Sequence, residues 1–248
     1  MRLHILGSSS SGNCYLLQSE KTGEVLAIEA GVRFDKVQRA LDYDLQKVVG
    51  CCISHEHGDH AKYAADMLAH CITVVCSEGT AKTLHIQGSH FTRIVRAREI
   101  VRLGDFQVIP FPVQHDAAEP FGYFIRHEEC GTVLFATDTY YLRFKFGGLN
   151  NLMVECNYRQ DILDENIKTG RVPAAIRNRI IKSHMSYDTC LEMLLANDLT
   201  KVNNIILIHL SSDNSHASEF VKGIAGATHK NVMAAKAGMV IDFNKTPY

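Results

Sequence analysis

The chain has 248 residues, of which 46% are hydrophobic and 21% are charged, and its formal net charge is −1. This composition is typical of a globular protein, and the length allows one large domain or two small ones. A charge this close to zero excludes a global basic field, so any nucleic-acid contact must come from a local patch. No stretch approaches the ~18 apolar residues of a membrane span, and the first residues do not resemble a secretory signal. We therefore expect a cytoplasmic protein without membrane contact.

Short apolar stretches predict eleven strands, and four amphipathic patterns between them predict helices. No repeat, linker or low-complexity segment divides the chain, so we interpret residues 1–248 as a single domain. Many strands without strict alternation of strand and helix favour two sheets covered by helices on their outer faces. The predicted strands are 2–6, 14–18, 25–29, 48–54, 72–77, 106–113, 122–127, 132–137, 151–156, 204–209 and 239–243, and the predicted helices are 34–43, 61–70, 186–198 and 217–227.

Eight cysteines are present, and none of them forms a C-x-x-C pair. Several lie within or beside apolar stretches, as Cys51 and Cys52 do. Disulfides remain an alternative, but this placement favours buried free thiols in a reducing compartment.

The stretch "CCISHEHGDHAKY" places three histidines, a glutamate and an aspartate in six consecutive positions behind an apolar strand. His55 and His57 are two residues apart, so in an extended segment both imidazoles point to the same side. Gly58 then allows a turn, and Asp59 and His60 begin the next predicted helix. Asp59 alone could equally be a helix-start residue, but the H-x-H-x-D-H spacing as a whole predicts metal binding.

Three further predicted strands deliver a coordinating side chain at their carboxyl ends. His115 follows strand 106–113, Asp138 follows strand 132–137, and His209 ends strand 204–209. This edge of a sheet is where sites are usually built, because rigid strands end there and loops begin. Imidazole and carboxylate ligands without a thiolate suit Zn, Mn or Fe.

These motifs, in this order, resemble the metallo-β-lactamase fold superfamily over nearly the whole chain. The resemblance implies an α/β fold, a four-layer αβ/βα sandwich, with two divalent metal ions at one edge of the sheets. The ions would be Zn or Mn, with Fe as a further possibility. Position by position, it implies that one metal is held by His55, His57 and His115, that the other is held by Asp59, His60 and His209, and that Asp138 bridges the two.

The superfamily motif that supplies an aspartate after the third strand contains Glu29 here, in "AIEAG". A glutamate reaches one methylene further than an aspartate. The resemblance implies that Glu29 orients the histidine cluster from behind the ligands. The alternative is a strand-end carboxylate that accepts hydrogen bonds from nearby backbone.

Three motifs resemble one branch of the superfamily, the YycJ/WalJ-like proteins, proposed to act on DNA as nucleases. They are "GSSSSGNCY" at 7–15, "SHMSYDT" at 183–189 and "HLSSDNS" at 209–215. The segments "PVQHDAAEPFGY" at 112–123 and "VECNYRQDIL" at 154–163 also match. The chain departs from the branch at Tyr158 and Arg159, where E-x-N-H-D is usual, and at "SHMS", where Gly-His-Leu-Ser is more common.

The motifs suit phosphate chemistry. Ser11, Gly12 and Asn13 could offer backbone and side-chain donors to an anion, although a plain turn between strands explains the same residues. His184, which we place at the start of helix 186–198, could hold the phosphate or protonate the leaving oxygen, or be merely structural. The basic segment before it contains Arg177 and Arg179, which we regard as candidate substrate contacts.

The leading hypothesis is a dinuclear metal-dependent hydrolase, a phosphodiesterase or nuclease of the 5′–3′ exonuclease type acting on DNA. A metal-bridging hydroxide would attack phosphorus, Asp59 would orient that water, and His184 would assist the leaving group. One alternative is hydrolysis of a small ester, lactone or thioester on the same fold. Another is a non-catalytic, metal-stabilised scaffold. The sequence leaves the metal identity and the oligomeric state open.

Overall fold

The computed structural model describes residues 1–247, which form two seven-stranded sheets packed face to face. The strands are β1 (Arg2–Gly7), β2 (Cys14–Gln18), β3 (Val25–Ile28), β4 (Val48–Cys52), β5 (Val74–Cys76), β6 (Thr92–Ile94), β7 (Val101–Leu103), β8 (Phe106–Pro112), β9 (Phe121–His127), β10 (Gly131–Ala136), β11 (Asn151–Glu155), β12 (Asn204–Ile208), β13 (Asn231–Ala234) and β14 (Val240–Asp242). The α-helices are α1 (Phe34–Ala40), α2 (Gly58–Ala61), α3 (Ala64–Ala69), α4 (Glu78–Thr83), α5 (Gln160–Lys168), α6 (Arg177–Ser183), α7 (Tyr187–Leu195) and α8 (Ala217–Thr228), with short 3₁₀ helices at Leu45–Lys47 and Ala174–Ile176.

Each sheet combines an antiparallel half and a parallel half. The first sheet has the order β14-β1-β2-β3-β4-β5-β6, and its strands become parallel from β3 onward. The second has the order β13-β12-β11-β10-β9-β8-β7, and β10 to β13 are parallel. The carboxyl ends of β3, β4, β8, β10, β11 and β12 therefore meet at one edge of the sandwich.

Alternating side chains divide the molecule into four layers. Leu26 and Ile28 of β3 belong to the core between the two sheets, together with Phe135 of β10. Val25 and Ala27, the alternate residues of β3, face outward and pack with α1 and α3. The outer face of the second sheet is covered by α7 and α8 in the same way. This arrangement confirms the predicted four-layer αβ/βα sandwich.

The eleven predicted strands are present, and the described chain contains three more, β6, β7 and β13. These three are only three or four residues long, and all three lie at sheet edges. A short edge strand buries little surface, so it leaves a weak pattern of alternation in the sequence.

The helix prediction was incomplete. The expected helix 61–70 is two short helices, α2 and α3, and α4, α5 and α6 were missed. Helices α5 and α6 pack on a small satellite cluster around Leu163 and Val172, away from the main core. Helix α6 has only seven residues, which is fewer than two full turns, so the basic segment before His184 contains too little of a periodic pattern to indicate a helix.

All eight cysteines are free within residues 1–247, and seven of them are buried, in line with their placement in apolar stretches. None of the helices in this part of the chain is long and apolar enough to cross a bilayer.

A tight contact between glycines holds the metal motif against the first sheet. A Cβ atom on Gly31 would lie 1.8 Å from the carbonyl oxygen of Asp59, and one on Gly12 would lie 2.4 Å from that of Gly31. Gly12 also has a φ of +146°, which L side chains rarely adopt. The backbone N–H of Asn13 donates to the same Asp59 oxygen at 2.7 Å. These residues therefore fix the backbone of Asp59.

We expect Gly31→Ala to displace the Asp59 backbone, because a methyl group at that distance from an oxygen cannot be accommodated. Thermal unfolding should show a lower Tm, and bound metal should fall in the folded fraction. The matched control is Gly226→Ala in α8, where an added Cβ meets nothing within 4 Å. That change should raise stability by about 0.5–1 kcal/mol, as alanine does in place of glycine within a helix. Equal behaviour of the two variants would contradict this account.

Candidate metal centre

At the edge of the sandwich where the strand carboxyl ends meet, three residues have a left-handed backbone conformation. Glu29, Asp138 and His209 have φ values of 67°, 45° and 54°. Each lies one or two residues beyond a buried strand, β3, β10 or β12. For residues other than glycine this conformation is strained by on the order of 1–3 kcal/mol, and such strain persists where the surrounding structure imposes it. The strand ends thus turn these side chains into the site.

The first donor group consists of three imidazoles. His57 Nδ1 lies 3.0 Å from His55 Nε2 and 3.1 Å from His115 Nε2. His55 and His57 follow β4 in the first sheet, whereas His115 follows β8 in the second. Three ring nitrogen atoms this close can form one face of a metal coordination sphere.

The second donor group joins α2 to the end of β12. The carboxylate Oδ2 of Asp59 lies 3.3 Å from His60 Nε2 and 3.2 Å from His209 Nε2. His60 and His209 are buried, and Asp59 is one-fifth exposed at the mouth of the site.

Asp138 lies between the two groups. Its Oδ2 is 3.3 Å from His60 Nε2, 3.4 Å from His115 Nε2 and 3.6 Å from His55 Nε2. Its other oxygen, Oδ1, lies 3.4 Å from Nδ1 of His209. The potential ligand atoms of each group, with one from Asp138, lie within 4.8 Å of one another. One carboxylate is therefore shared by both groups, as a bridging ligand requires.

Neighbouring polar groups orient the imidazoles. Ser54 Oγ lies 2.8 Å from Nδ1 of His55, and Nδ1 of His115 lies 3.0 Å from the carbonyl oxygen of Ser183. Glu29 is buried beneath the site, where its Oε2 accepts the N–H of Ser54 at 3.2 Å. Its Oε1 lies 3.4 Å from Nδ1 of His60. The contacts of Ser54 and Ser183 fix which ring nitrogen of His55 and His115 faces inward. Glu29 Oε1 and His60 Nδ1 are close to each other, but neither has a hydrogen-bond partner within residues 1–247.

Glu155 is a functional candidate that the sequence analysis missed. This buried residue ends β11, its Oε1 lies 2.7 Å from Nδ1 of His184, and its Oε2 accepts the N–H groups of Thr139 and Met185. It forms a third group of potential ligands with Asp138, His184 and His209. The same strand-end rule that found Asp138 would have found Glu155, since it is the penultimate residue of the predicted strand 151–156.

Buried charge supports cation binding. Glu29, Asp138 and Glu155 are at most 2% exposed, and no lysine or arginine is buried in residues 1–247. Carboxylates in this setting need a nearby positive charge. Only histidines supply it in the protein itself, and divalent cations bound by the same atoms would supply it more fully. The donor set therefore fits divalent metal ions.

Among the histidines of the site, one class has a lowered pKa and another has a raised pKa. Burial lowers the pKa of His55 and of His115, which keeps these imidazoles neutral with a free lone pair. Burial also opposes the charge on His209, but Asp138 and Asp59 outweigh it and raise the pKa of His209 to about 10. The pKa of His60 is raised for the same reason, by Asp138 and Glu29. Positive charge is thus favoured where the carboxylates converge.

The two arginines predicted to contact substrate lie in different surroundings. Arg179 lines the cavity at the donor groups, together with Ser10 and His184. Arg177 does not line it, because its Nε is directed away and donates to Asp164 Oδ1 at 3.1 Å. Arg177 therefore lies outside this cavity.

The predicted phosphate loop also differs in detail. The buried amide of Asn13 lies 3.1 Å from the carbonyl oxygen of Asp59 and 3.3 Å from Nε2 of His60, so it supports the ligands instead of facing an anion. Gly12 is packed against Gly31, and Ser11 lines a neighbouring cavity.

His184 lies at a different position relative to the helices from the one expected. It is the C-terminal cap of α6, and α7 begins only at Tyr187 with Ser186 as its N-cap. The Ser186 side chain accepts the N–H of Thr189. The helix start therefore does not place His184 at an anion site. Glu155 holds its ring, and against the effect of burial the Glu155 charge raises the pKa of His184.

Comparisons with known proteins agree with this geometry. A family model described as the beta-lactamase superfamily domain matches residues 28–210. The chain belongs to the β-lactamase superfamily. The match confirms the superfamily that the motif order indicated, and with the donor groups it supports a metal-dependent hydrolase.

Relatives within the superfamily cover most of the chain. An exodeoxyribonuclease YycJ of Bacillus anthracis is 32% identical over 87% of this chain and 85% of its own length. An exodeoxyribonuclease WalJ of Streptococcus pneumoniae is 28% identical over 96% of this chain and 91% of its own length. The metallo-β-lactamase fold protein YhfI from Bacillus subtilis has the same fold, with a TM-score of 0.73 at 14% identity over 97% of this chain and 98% of that one.

We expect removal of divalent metal by a chelator to lower the Tm by about 5–10 °C, because the buried carboxylates lose their counter-charge. Differential scanning calorimetry before and after addition of Zn or Mn measures the shift. Asp138→Asn should reduce the shift, since Asp138 touches both donor groups. A Tm that does not respond to chelation or to metal would contradict a cation at this edge.

Proposed function

We propose that the protein is a phosphodiesterase that cleaves DNA, using two divalent cations held by the donor groups around Asp138. The observation that carries the proposal is the shared carboxylate between two three-residue groups, next to a cavity lined by Arg179 and His184. Bound there, two such ions would supply a water nucleophile at neutral pH and would stabilise charge on a phosphoryl group. Zn and Mn suit the imidazole and carboxylate donors.

The residues at the mouth of the cavity suit a phosphodiester better than an uncharged ester. Arg179 supplies a planar guanidinium, which matches phosphate oxygens. Asp59, one-fifth exposed at the same mouth, is placed to orient the attacking water. Two relatives that cover most of the chain are exodeoxyribonucleases, and this supports DNA over small esters, lactones and thioesters.

We assign His184 the protonation of the leaving oxygen. Its Nδ1 lies 2.7 Å from Glu155 Oε1, which leaves Nε2 as the ring atom available to the cavity. Glu155 is then a positioning residue, since it acts through His184.

The first experiment incubates the metal-loaded protein with end-labelled single- and double-stranded DNA, RNA and bis-(p-nitrophenyl) phosphate, beside lactones, thioesters and nitrocefin. We expect cleavage of DNA and of bis-(p-nitrophenyl) phosphate. Turnover of only the carbon esters, or of none of these compounds, would overturn the proposal. Metal analysis by mass spectrometry should give two ions per chain.

His184→Ala should lower kcat for DNA by about 10²–10⁴-fold, the typical contribution of a general acid. Bis-(p-nitrophenyl) phosphate should lose less than about tenfold, since nitrophenolate leaves without protonation. Metal content should stay unchanged, and His90→Ala, at an exposed position outside the cavity, serves as the control. Equal losses on both substrates would remove the acid role from His184.

Arg179→Ala should raise KM for DNA, because the variant lacks a cation at the cavity mouth. Arg177→Ala is the matched control, two residues away on α6 and directed toward Asp164. Steady-state kinetics on the same oligonucleotide compare the two. An equal rise in KM in both variants would show that only the general charge of α6 matters.

A further inference from the structure

The cavity at the donor groups is small, and a larger cavity lies behind one of its walls. The first has a volume of about 160 Å³, below the range of about 300–1,000 Å³ for most ligand pockets. It can therefore hold little more than the reacting group, and the rest of a long substrate must lie on adjacent surfaces. The second, which we call the lysine cavity, has a volume of about 580 Å³.

The loop Ser8–Gly12 separates the two cavities. Ser10 lines the small cavity, whereas Ser9 and Ser11 line the lysine cavity. The loop is fixed to the site, because the Oγ of Ser8 accepts the N–H of His209 at 3.1 Å and lies 2.8 Å from the hydroxyl of Tyr15. A group bound in the lysine cavity would thus lie against a rigid wall of the site.

The charged residues that line the lysine cavity are all basic, and one of them, Arg33, is paired with Asp35 at 3.2 Å. Arg33, Lys36, Lys62 and Lys236 line the cavity, and none of its lining residues is an aspartate or glutamate. The three lysines come from different segments, namely α1, the connection after α2, and the connection between β13 and β14. Within residues 1–247 none of the three forms an ion pair, and all are exposed.

A second large cavity flanks the site on its other side, and its lining is of mixed sign. It has a volume of about 520 Å³ and contains Asp116 as well as Arg179 and Lys182. The lysine cavity is therefore the flanking surface that suits a polyanion better. Unpaired cations that converge from separate segments raise the local concentration of an anionic ligand.

We propose that the lysine cavity binds a backbone phosphate of the substrate strand, next to the phosphate that is cleaved. This inference rests on the proposed function and extends it, since it assigns a path to the strand across the Ser8–Gly12 loop. The ligand chemistry is a phosphate group with at least one negative charge. A free mononucleotide or inorganic phosphate offers the same chemistry, so the experiment separates these sources from the strand.

The test compares two variants that each lose three positive charges. The first is Lys36→Gln with Lys62→Gln and Lys236→Gln. The matched control is Lys201→Gln with Lys230→Gln and Lys245→Gln, which lie around a cavity at the amino ends of β11, β12 and β13. Metal content and Tm establish that both variants are folded.

Binding of a fluorescent single-stranded oligonucleotide with phosphorothioate linkages is measured by anisotropy at several salt concentrations, on metal-loaded protein. The lysine-cavity variant should bind about tenfold more weakly, and its slope of log affinity against log salt should fall by about 0.7 for each phosphate that it no longer neutralises. The control should change less than about threefold in affinity. Equal losses in both variants would overturn the proposal, because they would show a general effect of charge.

Two further measurements identify the source of the phosphate. The ratio of kcat/KM for a 20-nucleotide strand to that for a dinucleotide should fall about tenfold in the lysine-cavity variant, because a dinucleotide has no second phosphodiester to bind. Titration of inorganic phosphate or a mononucleotide should show little difference between that variant and the wild type. If the lysine-cavity variant no longer responds to these small anions while its kcat/KM ratio is unchanged, the cavity binds free phosphate instead of the strand. If the wild type binds the strand but cuts no DNA, the proposed function is wrong. The anisotropy comparison of the two variants then still tests whether the lysine cavity binds the strand.

Discussion

The site depends on the burial of the Asp138 carboxylate among imidazoles from both sheets. Its Oδ2 lies within 3.6 Å of ring nitrogens on His55, His60 and His115. A carboxylate this deeply buried is unstable without positive charge around it. The fold places imidazoles around this carboxylate at the edge where the carboxyl ends of strands from the two sheets meet. Side chains must lie near that edge to belong to the cluster. The four-layer fold thus holds this cluster of carboxylate and imidazole groups in place.

The chain accepts local strain to build this cluster. Glu29, Asp138 and His209 all leave their strands with positive φ, and Gly12 and Gly31 bring two backbone segments into direct contact with that of Asp59. Strain of this kind is maintained by buried strands behind it, which cannot move without opening a close-packed core. A rigid edge of this kind holds donor atoms in place before any ligand arrives, which lowers the reorganisation that binding requires.

Much of the fold and of the site is predictable from the sequence, for a physical reason. Long buried strands such as β12 leave continuous apolar stretches, and a histidine or aspartate directly after such a stretch, as in His209 and Asp138, must lie at the sheet edge. Contacts between segments far apart in the chain leave no such pattern. Nothing in the sequence around Arg177 indicates that it turns to Asp164, or that the amide of Asn13 supports Asp59. Glu155 obeys the rule that found the other residues, and a stricter use of that rule would have identified it.

The site is a small, rigid cavity between two larger ones, with a mixed charge on one side and a positive charge on the other. Such an arrangement suits a long anionic substrate of which one group reacts. The most direct test of the central claim is anomalous X-ray scattering from crystals of the protein grown with Zn or Mn. The account predicts two anomalous peaks about 3.5–4 Å apart, one on each side of the Asp138 carboxylate. No peak at this edge, or peaks that do not contact Asp138, would contradict it.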